Sequence, residues 1–282
     1  MNGAYKNGDM AAIADAMDER YQEGDAYSYE LPWDIQRHKS LHQELANLVT
    51  RVIHIWSRHI PLRVTDLGCG MKTTFSLPYI RDALRTFDLD VTLVDISAAA
   101  IRRLREERGG ELEAAWGPRV SWQFRAAPAE YLQSVAEDQH LIVSVESIEH
   151  WSDVDAGLDG VHAALVPGGF FVLTTPNRDS LHVRMARKLG YEPPFCAEDH
   201  TYEFGHEELD RLLKRHGLVK VAESGVGLAP YWALEGFIGS RMRELTDNDP
   251  EVIQWLDMIG RRCPEFSFCQ VKAFRKEEPQ DV

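Results

Sequence analysis

Two rhythms of apolar side chains alternate along this chain. Short strand-like runs occur at Leu62–Leu67, Asp90–Val94, Val120–Phe124, His140–Val145 and Gly169–Thr174, with segments of helical spacing between them. The fourth and fifth runs are continuously apolar, as in strands covered on both faces. The beat predicts an α/β fold: a mostly parallel sheet with helices on both faces. Helices are expected before the first strand, at Met10–Tyr21 and Arg37–Ser57. After Ser97, a natural N-cap, AAAIRRLREER reads as a long helix with its arginines in solvent. Beyond the fifth run come a helix at Ser180–Leu189, a proline-held loop EPPFCAEDH, a helix at His206–His216 and a strand near Val219–Glu223. Residues 230–260 read as mostly helical, and FSFCQVKAF as a seventh strand lying at the sheet edge. The expected division is a helical N-terminal cap over 1–58 and a main domain over 59–282, with a lid insertion at 176–205 and a helical insertion at 230–260.

Composition narrows the partners. The chain has 282 residues, 44% of them hydrophobic, and 31 basic against 45 acidic side chains give a net charge of -14. Such a field repels phosphate backbones, so a nucleic acid would need a locally basic channel. Four cysteines without a CxxC pair argue against structural zinc held by thiolates and fit a reducing, cytoplasmic setting. No stretch approaches the ~20 apolar residues that span a bilayer, so no membrane partner is expected.

The candidate chemistry sits at strand ends. VTDLGCG places Asp66, Gly68, Cys69 and Gly70 at the carboxyl end of the first strand, where open α/β sheets bind ligands. The spacing is neither GxGxxG nor GxxxxGK[ST], which disfavours pyrophosphate cofactors. Asp95 ends the second strand and can accept two ribose hydroxyls across the mouth of the glycine turn, opposite Gly68. Asp66 and Asp95 could each instead serve as turn-capping residues. VESIEHW presents Glu146, Glu149 and His150, which a helical turn would put near one face, and DHTYEF adds His200 from the lid. Oxygen and imidazole donors suit magnesium, manganese or iron. The same set could work as acid–base or substrate-binding groups, or cap a helix at the surface.

VTDLGCG, LVDIS and LVPGGFFVLTTPN together resemble the class I S-adenosylmethionine-dependent methyltransferases, over roughly residues 60 to 225. The resemblance implies a Rossmann-like seven-stranded sheet and S-adenosylmethionine as cofactor. It places Asp66 near the methionine amino group, Gly68, Cys69 and Gly70 along its backbone path, Asp95 and Ile96 at the ribose turn, and Ala127 beside adenine. FRAAPAEYL departs from the family's GDA-like turn, and Glu130 there can occupy an exposed helix face. The Glu-x-x-Glu-His set with a later histidine resembles the small-RNA 2′-O-methyltransferases, as does GVG at 225–227. VExIEH with LxPGG and TPNR resembles the ubiquinone-biosynthesis O-methyltransferases.

Both likenesses imply an oxygen acceptor, and the expected reaction is methylation of a hydroxyl on a small molecule, with vicinal hydroxyls preferred. RNA 2′-O-methylation is the alternative, and a non-catalytic S-adenosylmethionine-binding protein a further one. Arg178, Arg184, Arg187 and Lys188 make a basic patch that could steer RNA or simply be solvated. Tyr27, Tyr29, Trp33, Tyr191, Phe195, Tyr202 and Tyr231 could line an acceptor pocket or pack the core.

Overall fold

The computed structural model describes residues 10–23, 32–56, 61–228, 241, 244 and 248–278. Helices α1 (Met10–Glu23) and α2 (Pro32–Ile53) precede β1 (Leu62–Leu67). There follow α3 (Pro78–Leu84), β2 (Leu89–Asp95), α4 (Ala98–Arg103), α5 (Gly109–Trp116), β3 (Val120–Ala126) and β4 (Gln139–Val145). After these come α6 (Val154–Ala164), β5 (Leu165–Pro176), α7 (Leu181–Lys188), α8 (His206–Arg215), β6 (Leu218–Val226), α9 (Pro250–Arg262) and β7 (Cys269–Lys276). The helix expected as one piece after Ser97 is split by a π segment at Leu104–Arg108, while the Ser97 hydroxyl caps its start by accepting from Ala100 N.

The seven strands form one sheet in the order β3-β2-β1-β4-β5-β7-β6. β1 to β5 pair in parallel, and β7 runs antiparallel to both β5 and β6. The last strand is therefore not the edge expected from its sequence. It slots between β5 and β6, and every side chain from Cys269 to Phe274 is buried, as an interior strand requires. The edges are β6 and β3, whose alternating half-buried and exposed pattern marks a strand paired on one side.

Core packing lies on both faces. On one, α2 drives Leu41, Leu45 and Val49 against Val64, Val143 and Val271; on the other, Leu158 and Val161 of α6 and Leu209 and Leu213 of α8 cover Ile142, Phe171 and Phe274. Helix α2 is thus part of the core. Burying each such aliphatic side chain contributes about 1.5–3 kcal/mol. Strand order reverses between β1 and β4, so their carboxyl ends diverge into a crevice, and both predicted sites flank it. Among the described residues no helix is long and apolar enough to cross a membrane.

Candidate functional site

The wall at the end of β1 is built by the turn itself. Asp66, 1% exposed, accepts from Thr74 N at 2.9 Å and from the hydroxyls of Thr73 and Thr74 at 2.5 and 2.8 Å. It thereby pins the segment that follows the glycines. Burial raises the pKa of Asp66 while those three donors oppose the rise. Asp95 bonds the glycine turn, but through Gly70 N at 2.8 Å rather than Gly68; its other oxygen accepts from Ser97 N at 2.9 Å. Gly68 N instead donates to Val94 O at 2.8 Å. Burial pushes the Asp95 pKa up to about 6 against those hydrogen bonds. Cys69 is buried, and burial with the two nearby carboxylates raises its thiol well out of the reactive range.

Gly68 has φ +77°, and a Cβ there would run into Ser147 Oγ on the opposite side of the crevice. Left-handed backbone and this contact both demand glycine. Gly68→Ala should lower the melting temperature and donor affinity together, by more than the ~1 kcal/mol of backbone handedness alone; parallel thermal melts and donor titrations check this. Over Gly70 lies Tyr21, whose hydroxyl would stand 2.6 Å from an added Cβ. Tyr21 belongs to α1, which also presents Asp18 to Ser97 Oγ at 2.5 Å and to Ala99 N at 3.0 Å. Ile13, Met17 and Tyr21 of α1 close a cavity of about 90 Å³ against Gly68, Asp95, Ile96 and Ala127. Glu130 is not on an exposed face: it accepts from Ser152 Oγ at 2.5 Å and Asp153 N at 3.1 Å, ahead of α6.

A larger cavity of about 950 Å³ runs from Asp66, Gly68 and Gly70 to Glu146, Glu149, His150 and His200 and on to Tyr191 and Phe195. Of those last four, Glu149, His150 and His200 each offer a donor atom, all within 4.8 Å of one another. The imidazoles meet edge to face at 4.8 Å between centroids. Glu149 is fully buried; Thr175 Oγ1 donates to its Oε2 at 2.9 Å, while Oε1 is buried with no hydrogen-bond partner among the described residues. Burial first, then neighbouring Glu146, raises the Glu149 pKa well above the carboxylate norm. Each histidine is anchored through Nδ1. For His150 the partner is Asp199 O at 3.2 Å, with Asp199 Oδ2 at 3.5 Å; for His200 it is Glu203 Oε1 at 2.8 Å. That leaves Nε2 of each ring for a ligand. The segment expected as a lid is held to Glu149 by Thr201, whose N and Oγ1 both donate to Glu149 O at 2.8 Å.

Glu146 departs from the expected arrangement. The segment does not continue helically from Val145: Glu146 takes φ +47° and the helical turn, of 3-10 type, covers only Ile148–His150. Its carboxylate is drawn to Arg37 Nη1 at 3.3 Å and to Thr174 Oγ1 at 3.1 Å, away from the three-donor set. Arg37, with His38 and His42, comes from α2 and lines the large cavity. Burial, then Arg37, His42 and Lys72, lowers His38 to about 2. Sequence reasoning missed Arg37, His38, Asp18, Tyr21 and Glu203. The i, i+4 pairing of His38 with His42 on a long helix was the available signal.

The three arginines of the basic patch bond within the chain, while Lys188 is exposed. Arg178 holds Glu192 and the carbonyls of Pro193 and Pro194, Arg187 pairs with Glu192 at 2.8 Å, and Arg184 bonds Asp179 O at 2.6 Å. Tyr191 and Phe195 line the cavity, whereas Tyr202 packs on Phe204 and donates to Glu208. Tyr27, Tyr29, Tyr231 and the side chain of Trp33 lie outside the described residues, as does most of the stretch 230–249. The GVG segment is a packing junction, with the Gly260 backbone of α9 against Gly227 and Gly225. A further group, His206, Asp210 and Glu223, is occupied by Lys220 and Lys272, whose ammonium groups lie 2.6 Å from its carboxylates.

Comparison with known proteins gives the family and the fold. Residues 33–223 match the family model described as Methyltransferase domain. Similar proteins include the ubiquinone biosynthesis O-methyltransferase of Chelativorans sp. (strain BNC1), 28% identical over 174 residues, 60% of this chain and 63% of the relative. That of Agrobacterium fabrum is 30% identical over 176 residues, 58% and 62% of the two chains. The matched region spans just under two thirds of the length of these relatives. Among solved structures, the magnesium protoporphyrin IX methyltransferase of Synechocystis PCC 6803 with bound SAH superposes with a TM-score of 0.56 at 11% identity, covering 95% of this chain and 100% of that one. The 1,6-didemethyltoxoflavin-N1-methyltransferase of Burkholderia thailandensis, bound to its acceptor and S-adenosylhomocysteine, gives 0.53 at 16% identity, with 95% and 89% covered. At such identities the likeness is one of fold. With the family match extending over more than half of the chain and the sheet order and glycine turn in place, the chain belongs to the methyltransferase domain family, as a class I S-adenosylmethionine-dependent methyltransferase.

Proposed function

We propose that this protein methylates a hydroxyl of a small molecule, the acceptor being a vicinal diol or catechol gathered at a divalent ion held by Glu149, His150 and His200. The observation that carries this reading is the buried Glu149 Oε1, unmatched among the described residues, in a set of three donors within 4.8 Å of one another. A buried carboxylate oxygen without a partner costs about 1–3 kcal/mol or more, which a cation would offset. The donor set, one carboxylate and two imidazoles without a thiolate, fits magnesium, manganese or iron.

The residues divide the work. When bound, S-adenosylmethionine supplies a methyl group on a sulfonium, so the protein needs no covalent nucleophile. Asp66 fixes the glycine turn, Gly68, Cys69 and Gly70 give it backbone walls, Asp95 beside Ile96 has lone pairs left for the ribose hydroxyls, and Ala127 flanks the base. When bound, a divalent ion supplies Lewis acidity that favours the ionised acceptor hydroxyl. Asp199 and Glu203 hold the two rings in orientation. His150 works as a ligand better than as a base: burial lowers it to about 4, well below the near-neutral value that suits proton abstraction at pH 7. Glu146, tied to Arg37, supports the wall between the two ends of the cavity. RNA is the weaker reading, since the arginines that would form its channel are bonded within the lid.

Chelator-treated protein given S-adenosylmethionine and a catechol tests the reading. Methyl transfer should return on adding magnesium or manganese, with mono-O-methylated product identified by mass spectrometry. Equal rates with and without the ion would overturn the ion site, and transfer to amines or thiols but no diol would overturn the oxygen acceptor.

A further inference from the structure

His200 stands at the corner of two donor sets. Besides Glu149 and His150, it has Cys196 and Glu203 on its other side, and the donor atoms of Cys196, His200 and Glu203 also lie within 4.8 Å of one another. We propose that Cys196, His200 and Glu203 form a second, thiolate-containing site that takes zinc and thereby removes His200 from the first. The competition rests on the ion site proposed above; the zinc site stands on its own geometry.

The distances suit that metal. Zinc bonds sulfur at ~2.3 Å and imidazole nitrogen at about 2.0–2.1 Å, so a tetrahedral angle puts the two about 3.6 Å apart. Cys196 Sγ is 3.6 Å from His200 Nδ1. Glu203 Oε1, 2.8 Å from the same nitrogen, has to yield by about half an ångström to reach the tetrahedral separation. The carboxylate is fixed for this: Cys196 N donates to it at 2.5 Å, and Arg178 lies 3.7 Å from its second oxygen. Three protein donors and a water complete four-coordinate zinc. Cys196 is on the exposed loop between α7 and α8, so the ion has a path from solvent. A thiolate also selects zinc against magnesium and manganese, which prefer oxygen.

Occupation of the two sites is exclusive because of the ring's single proton. With Nδ1–H given to Glu203, the Nε2 lone pair is available to the first site. Zinc on Nδ1 moves that proton to Nε2, which becomes a donor and can no longer ligate. The Cys196 thiol proton leaves to solvent as the sulfur–zinc bond forms, and no electrons are transferred.

Cobalt(II), a coloured substitute for zinc, gives the test in the full-length, metal-stripped protein. One equivalent should produce a thiolate-to-metal charge-transfer band that zinc bleaches. The band should vanish in Cys196→Ser and Cys196→Ala, weaken in Glu203→Gln and persist in Glu149→Gln. Zinc affinity should fall by about 100-fold in Cys196→Ser, at the upper end of what outer-shell losses cause. No band in the native protein, or one surviving in both Cys196 variants, overturns the site. In methyl-transfer assays with magnesium or manganese, zinc should inhibit the native protein and spare Cys196→Ser, each judged against its own zinc-free rate. Cobalt binding through Cys196 with no inhibition by zinc would overturn the exclusivity. Absence of methyl transfer to any diol would count against the proposed reaction and leave the spectroscopic result intact.

Discussion

Glu149→Gln should abolish ion-dependent methyl transfer while leaving the metal-free protein as stable as the native one or more so. Loss of an outer-shell partner already costs about 10- to 100-fold in metal affinity or activity, so loss of a direct ligand should reach at least the top of that range. Stability moves the other way because the carboxyl is buried and its pKa raised above the ordinary 4.5. Its contribution is fully present below pH 4.5 and is lost as pH rises through the elevated folded value, so an ionised Glu149 is a burden near neutrality. Glutamine removes that burden while keeping an acceptor for Thr175. Melting curves from pH 4 to 8, with and without manganese, read both effects. The native protein should gain stability from manganese and the variant should not. Glu146→Gln, whose carboxylate is turned to Arg37, should retain more of the manganese response. Equal loss in the two variants would show that Glu146 belongs to the ion site.

Asp95→Asn should weaken donor binding by about 10- to 100-fold, the loss of one charge-assisted hydrogen bond of roughly 1.5–3 kcal/mol. Each oxygen of Asp95 already accepts a backbone N–H, from Gly70 and from Ser97. An asparagine amide must turn its NH2 toward one of these donors, so it breaks the turn as well as the ribose contact. The native protein should also lose donor affinity as pH falls through about 6, where Asp95 protonates. Protein without donor should behave oppositely: the Asp95 contribution to folding is present below 3.8 and is lost as pH rises through about 6. Calorimetric titrations of the demethylated donor at pH 5 and 7.5 separate the two signs. A pH-independent affinity, or an unchanged one in Asp95→Asn, would remove Asp95 from the donor site.

What could be read from the chain was local. Strand ends with a glycine turn and an acid one unit later mark a crevice because backbone and carboxylate chemistry act within a few residues. Hence Asp66, Gly68, Gly70 and Asp95 could be placed at one crevice from the sequence, although the partner of Asp95 is Gly70 rather than the Gly68 expected. Spacing failed at Glu146, where a single left-handed residue redirects a carboxylate that a helical count had aimed at His150. Partners distant in sequence were invisible for another reason. Tyr21 over Gly70, Arg37 on Glu146 and Arg20 on Asp199 join segments 49 to 179 residues apart, and no local pattern records such pairings. The position of β7 was misjudged likewise, because strand order is set by global packing.

The placement of β7 has a consequence for how the protein comes into being. During synthesis β5 and β6 leave the ribosome before the strand that joins them, each presenting unpaired amides and carbonyls along the side it will later share. Phe268, next to β7, lines the large cavity, and Cys269 contacts Arg37. A nascent chain therefore carries its glycine turn long before its large cavity has a complete wall, and that cavity is finished only when the closing strand threads into its gap.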